Sequence, residues 1–185
     1  MKYLKKALRF AERALSALAR EGMEGVYLRL IKKAYIYDGF FFWRKKRLRK
    51  ILSDNYKGII VLSPNESWDI PMFQRPQQMG IQFSNLGYLY FHCLQSPEYD
   101  RVLGYRRLKK NLFITNCHPT IIKSINKFIY IINNATHPRI NQKYIENLIK
   151  NKDVIVVYDY LDHYSPELGF YPDWLKQIKQ RLAIG

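Results

Sequence analysis

The chain has 185 residues, enough to bury a core and form one compact domain with an appendage, and too few for two full domains. Apolar residues make up 48% and charged residues 25%, which disfavours wholesale disorder. The formal net charge of +16 is unevenly placed: 15 of the 31 Lys and Arg, but only four of the 15 Asp and Glu, lie within residues 1–50. A cationic segment of this kind attracts polyanions, lipid headgroups or nucleic acid, and charge alone does not choose between them.

The only cysteines are Cys93 and Cys117, with no Cys-x-x-Cys pair, which suits a reducing compartment and gives no metal-site spacing. No apolar run reaches the roughly 18 residues a spanning helix needs, and the N-terminus lacks the pattern of a signal peptide.

Leu4, Leu8, Ala11, Leu15 and Leu18 recur at helical spacing, with Lys2, Lys5, Lys6, Arg9, Arg13 and Arg20 on other faces, so the pattern predicts a basic amphipathic helix. Gly22 and Gly25 are expected to interrupt it before a second helical stretch from Val26 to about Ile36. Phe40, Phe41, Phe42 and Trp43 then abut Arg44, Lys45, Lys46 and Arg47, an order that a lipid interface favours because rings settle at headgroup depth beside cations. The apolar stripe Leu4–Leu18 is equally suited to packing on the domain. No recognised nucleic-acid module accompanies the basic residues, so nucleic acid ranks behind an anionic membrane surface as a partner.

From Lys57 the character changes. Gly58–Ser63 is a short β-branched run closed by Pro64, as expected of a buried parallel strand. A helix is predicted from Pro76 to about Asn85, stopped by Gly87, followed by a strand over Tyr88–His92. Further strands are predicted at Asn111–Thr115, Phe128–Ile132 and Val154–Tyr158, with a short helical or irregular stretch from Pro119 and a helix from Gln142 to about Asn151. Asp173–Leu182 reads as one more helix. The expected division is a helical basic leader over 1–56 and an α/β domain over 57–185, with a parallel sheet flanked by helices.

Two segments carry chemistry. The first, between the first strand and the first long helix, is Trp68-Asp69-Ile70-Pro71-Met72-Phe73-Gln74-Arg75-Pro76-Gln77-Gln78, followed by the strand Gly87-Tyr88-Leu89-Tyr90-Phe91-His92-Cys93. The second is Tyr158-Asp159-Tyr160-Leu161-Asp162-His163-Tyr164-Ser165, at a strand end. Together, in order and spacing, they resemble the N-terminal domain of bacterial GT-B glycosyltransferases of the group 1 (GT4-like) type, over about residues 57–182.

The resemblance implies a Rossmann-like fold and an acceptor-side role: transfer of a sugar from a nucleotide sugar, as co-substrate, to a glycan or lipid-linked acceptor in cell-envelope polysaccharide assembly. It implies no tightly bound cofactor and no metal. The donor-binding second domain of such enzymes is expected to be absent from these residues, and a second chain is a candidate source of it. A cytoplasmic location at the inner face of the cell membrane follows from the same reading.

Loops leaving the carboxyl ends of parallel strands line the ligand crevice in open α/β sheets. Sugar hydroxyls call for planar polar partners, so Asp69, Arg75 and Gln77 are candidate substrate contacts, with Trp68 or Tyr164 stacking on a ring face. Asp162, Asp159 and His163 are candidates for orienting or deprotonating the attacking hydroxyl. His163 departs from the acidic residue that relatives often carry at its position. Structural roles fit the same residues: Asp159 as a cap, Arg75 paired with Asp69 or Asp162, Trp68 as core. The isolated His92, His118 and His137 suit packing or capping. A non-catalytic glycan-binding or partner-binding module, and a basic adaptor for membrane or nucleic acid, are the alternatives to an enzyme.

Overall fold

The computed structural model describes residues 15–16, 18–29, 31, 41–133 and 142–159. In chain order the elements are α1 (residues 18–29), α2 (Phe41–Leu52), β1 (Ile59–Asn65), α3 (Arg75–Asn85), β2 (Leu89–Leu94) and β3 (Tyr105–Lys109). They continue with β4 (Leu112–Thr115), α4 (His118–Ser124), β5 (Phe128–Ile132), α5 (Gln142–Ile149) and β6 (Val154–Tyr158). Most of the predicted Leu4–Leu18 helix, the 26–36 stretch beyond residue 31 and the predicted 173–182 helix lie outside the described residues.

The apolar run after Lys57 is a strand because alternate side chains serve two layers: Ile60 and Leu62 face one side, Val61 the other. Pro64 does not close β1, as its position predicts, but sits inside it, where the pairing with β2 shifts register between Leu62 and Asn65. A proline has no N–H for the ladder, and such a shift is where a missing donor costs least.

The sheet order is β3-β4-β2-β1-β5-β6. Every pair is parallel except β3 with β4, which meet antiparallel across Lys110 and Asn111. Without β3, the parallel strands run 3-2-1-4-5 in their own chain order, the Rossmann arrangement, with the switch point between β1 and β5. The fold is thus α/β with a mostly parallel six-stranded sheet; the antiparallel edge strand β3 departs from the expected all-parallel sheet.

Helices cover both faces. Leu48 and Ile51 of α2, Ile121 of α4, and Ile145 and Leu148 of α5 pack with Val61, Phe91 and Tyr130 on one side. On the other, Ile81 and Phe83 of α3 pack on Ile60, Leu62, Tyr90 and Ile131. A Cβ on Gly80 would lie 3.1 Å from the ring of Tyr90 and 3.2 Å from Leu112, so α3 rests on the sheet at a glycine's separation. Helix α3 ends at Gly87, whose φ of +93° lets its N–H reach Ser84 O (3.1 Å) and that of Tyr88 reach Phe83 O (3.0 Å), a Schellman closure.

Helical backbone over 18–29 continues past Gly22 and Gly25, where the sequence predicts a break, and Gly22 takes φ +66°. This segment is tied to the connection between β2 and β3: Glu24 pairs with Arg101, and the Tyr27 hydroxyl donates to Arg101 O at 3.1 Å.

Candidate functional site

In this topology the chain leaves β1, β2, β5 and β6 at one rim of the sheet. The first motif occupies the loop between β1 and α3, and Asp159 directly follows β6. Arg75 Nη2 meets Asp159 Oδ1 at 2.8 Å, so the two motif-bearing segments are joined by an ion pair across the rim. Asp159 also extends the ladder by one step, its N–H donating to Ile132 O at 2.9 Å.

The loop after β1 is held by a residue the sequence reading did not single out. Asp100, buried in the connection after β2, accepts the N–H of Trp68 on Oδ2 (3.0 Å) and of Asp69 on Oδ1 (2.8 Å). Burial raises its carboxyl pKa, opposed in part by those two N–H groups and by Arg106. Arg106 of β3 clamps both partners, donating from Nη2 to Asp69 Oδ2 at 2.6 Å and from Nη1 to Asp100 O at 3.1 Å. Asp69 is therefore engaged by Arg106, not by Arg75. A signal for Asp100 was present in principle, since any polar residue after a parallel strand lies at the rim where β1 also ends.

Gln77 is buried and works for the loop: its Oε1 accepts the Gln74 N–H (3.2 Å) and its Nε2 donates to Ser67 O (3.4 Å). Trp68 packs edge-on against His92 at 5.2 Å and Phe73 at 6.0 Å between ring centroids. His92 Nε2 lies 2.9 Å from Glu66 O; a carbonyl only accepts, so Nε2 carries the proton and the buried Nδ1 is bare. Burial lowers the His92 pKa to about 4, the Glu66 contact opposing, so this ring is neutral at neutral pH.

At the β1–β5 switch point, Asn65 Nδ2 donates to Asn133 Oδ1, and the Asn133 N–H reaches Ser63 Oγ at 3.4 Å. Two buried polar atoms here have no hydrogen-bond partner among the described residues, Asn133 Nδ2 and Asp159 Oδ2. Facing solvent at the same rim are Met72, Phe73 and the Arg75 side chain. This set can accept a hydroxyl proton, donate from a guanidinium and offer an apolar surface to a ring.

Of the other predicted site residues, Asp162, His163, Tyr164 and Phe40 lie outside the described residues. Phe42 and Trp43 are exposed, Lys45 is half-buried and Arg44 is buried; Phe41 is placed by its backbone in α2. His118 packs in a buried ring cluster with Tyr130 and Tyr144. Among the described residues no group of three His, Cys, Asp or Glu is arranged to hold a metal ion, and no helix is long and apolar enough to cross a membrane.

Strand order and rim define the class as a Rossmann-like α/β domain with its polar loops gathered at the carboxyl ends of the strands. Compared with protein families, with curated proteins and with solved structures, the chain matches none.

Proposed function

We propose that this domain is the acceptor-binding side of a GT-B-type glycosyltransferase, holding a glycan or lipid-linked sugar at the carboxyl rim of the sheet while a nucleotide sugar supplies the donor. The observation that carries the reading is the Arg75–Asp159 ion pair, which joins the WDIPMFQRPQQ loop to the end of β6 in a Rossmann-ordered sheet. Asp159 Oδ2, which has no hydrogen-bond partner among the described residues, is the acceptor assigned to a ligand hydroxyl, and the outer face of Arg75 supplies donors. Phe73 adds a ring surface for the apolar face of a sugar. In transfer, a carboxylate so placed orients the attacking hydroxyl and takes its proton. Such a reaction belongs on the inner face of the cell membrane, where nucleotide sugars and lipid-linked acceptors meet.

The test is calorimetric titration of the full chain with oligosaccharide and lipid-linked acceptors, with Arg75→Ala and Asp159→Asn beside it, then a turnover assay across a panel of sugar nucleotides. Glycan binding weakened tenfold or more by either substitution supports the proposal, and turnover extends it to catalysis. Glycan binding without turnover for any donor identifies a non-catalytic glycan-binding module instead. No binding to any glycan sinks the reading.

A further inference from the structure

We propose that the cleft between α2 and the β2–β3 connection is a docking site for an anionic lipid bilayer. The inference stands apart from the sugar-binding reading, since it concerns another part of the surface. Trp43, Arg44 and Arg47 form one wall, and Leu103, Gly104 and Tyr105 the other, around a cavity of about 500 Å³.

Helix α2 is built to hold this wall in place. Leu48 and Ile51 anchor it in the core, which turns Phe42 and Trp43 outward at 84% and 79% exposure. A large ring such as Trp43 left in water at the head of a well-anchored helix is costly, and covering it is favourable. The opposing wall is also left apolar, with Leu103 and nearby Tyr99 exposed. The second tie to this region comes from α1, whose Glu24 and Tyr27 hold Arg101, two residues from Leu103.

Charge complementarity selects the occupant. The α2 segment FFWRKKRLRKIL has no acid, and of its cations Lys46, Arg47, Arg49 and Lys50 are exposed. Rings at the head of the helix and cations along it match a surface in which acyl chains lie beneath anionic headgroups. Nucleic acid also combines charge with stacking, but it is met by open ring faces along a groove. Here the space beside Trp43 is concave and closed by an aliphatic side chain and a glycine, a shape suited to a chain of methylenes.

The experiment uses the full chain with phosphatidylcholine vesicles, with and without phosphatidylglycerol, in sedimentation and tryptophan-fluorescence assays. Wild type is expected to bind the anionic vesicles at least tenfold more tightly than the neutral ones, with the preference shrinking as salt rises. Brominated acyl chains should quench its emission, and Trp43→Phe should remove most of that quenching. Trp43→Ser with Leu103→Ser should weaken binding tenfold or more. Arg47→Glu, a change of two charges, should weaken binding on the order of tenfold at low salt. Trp43, Leu103 and Arg47 all face the surface, and far-ultraviolet circular dichroism checks that each variant is folded; Phe42→Ser serves as a second apolar probe if the double variant is not. Equal binding to neutral vesicles, unchanged binding by the folded apolar variants, or tighter binding to single-stranded RNA than to anionic vesicles at the same salt would each overturn the proposal.

Discussion

Replacing Asp100 by Ala removes the side chain that accepts the N–H groups of Trp68 and Asp69, at 3.0 and 2.8 Å. A buried donor left unmet costs about 1–3 kcal/mol; Asp100 is only 2% exposed, while Trp68 is half-buried and Asp69 exposed. The loop ends at the rim and can turn one amide toward water, so the expected loss is about 2–4 kcal/mol, the lower part of the summed range. Asp100→Asn keeps one acceptor oxygen but sets an NH2 against the second donor, for a loss of about 1–2 kcal/mol. The pH dependence provides an independent check. Because burial raises the folded-state pKa above 3.8, the folded protein holds this proton longer than the unfolded chain does. This carboxyl's contribution is therefore full below 3.8 and falls as pH rises from there through the folded value. Asp100→Asn should lack that component of the slope. Urea unfolding gives the free energies, and amide exchange at Trp68 and Asp69 shows whether the loss is local. An Asp100→Ala protein within about 0.5 kcal/mol of wild type, with slow exchange at both amides, would refute the reasoning.

His92 titrates in the opposite sense: a fall from 6.5 to about 4 means the unfolded chain binds the proton first, so stability drops as pH falls from 6.5 toward 4. The full span is worth about 3 kcal/mol. His92→Gln should flatten that part of a denaturation series, and an unchanged slope would show that another group is responsible. Gly80→Val should destabilise by about 2 kcal/mol through overpacking against Tyr90 and Leu112, read as a lowered urea midpoint with unchanged m-value. For the rim ion pair, a double-mutant cycle of Arg75→Ala and Asp159→Asn should give a coupling of about 0.5–1 kcal/mol, held down because the Arg75 side chain is 56% exposed. Additive effects would mean the pair holds nothing together.

How much of this was legible in the sequence follows from what each element buries. The strands β1, β2, β4, β5 and β6 announce themselves as apolar or ring-rich runs because each is flanked by a parallel neighbour. Helix α3 is legible from both ends, through Pro76 and Gly87. Strand β3 is not: of YRRLK only Tyr105 is buried and its two arginines read as loop, whereas β6, at the other edge, is legible because its run VIVVY is apolar throughout. The helix within the ring-and-cation cluster is masked in the same way, its inward positions Leu48 and Ile51 outnumbered by cations. At the site, the sequence offers the participants but not the partners. Arg75 meets Asp159 and Asp69 meets Arg106, and such pairings depend on strand order, which no local pattern encodes. Asp100 is silent for the same reason: its work is done for a loop about 30 residues earlier.

The way the first motif distributes its side chains bears on the ligand. Asp69 is engaged by Arg106, Gln77 by Gln74 and Ser67, and Trp68 by His92 and Phe73, so substitutions there act by moving the loop. What remains for a ligand is unlike in kind: the outer face of a guanidinium already paired with Asp159, a carboxylate oxygen with no partner among the described residues, and the exposed Met72 and Phe73. An anion would suit Arg75 but be repelled by Asp159, and an apolar ligand would leave Asp159 Oδ2 still unmet, where an unpaired buried polar group costs about 1–3 kcal/mol or more. A neutral ligand rich in hydroxyls, with one apolar ring face, meets all three at once. The physical demand of the rim is thus the same as that of the proposed glycan, and inorganic phosphate competing with an oligosaccharide for the full chain would count against both.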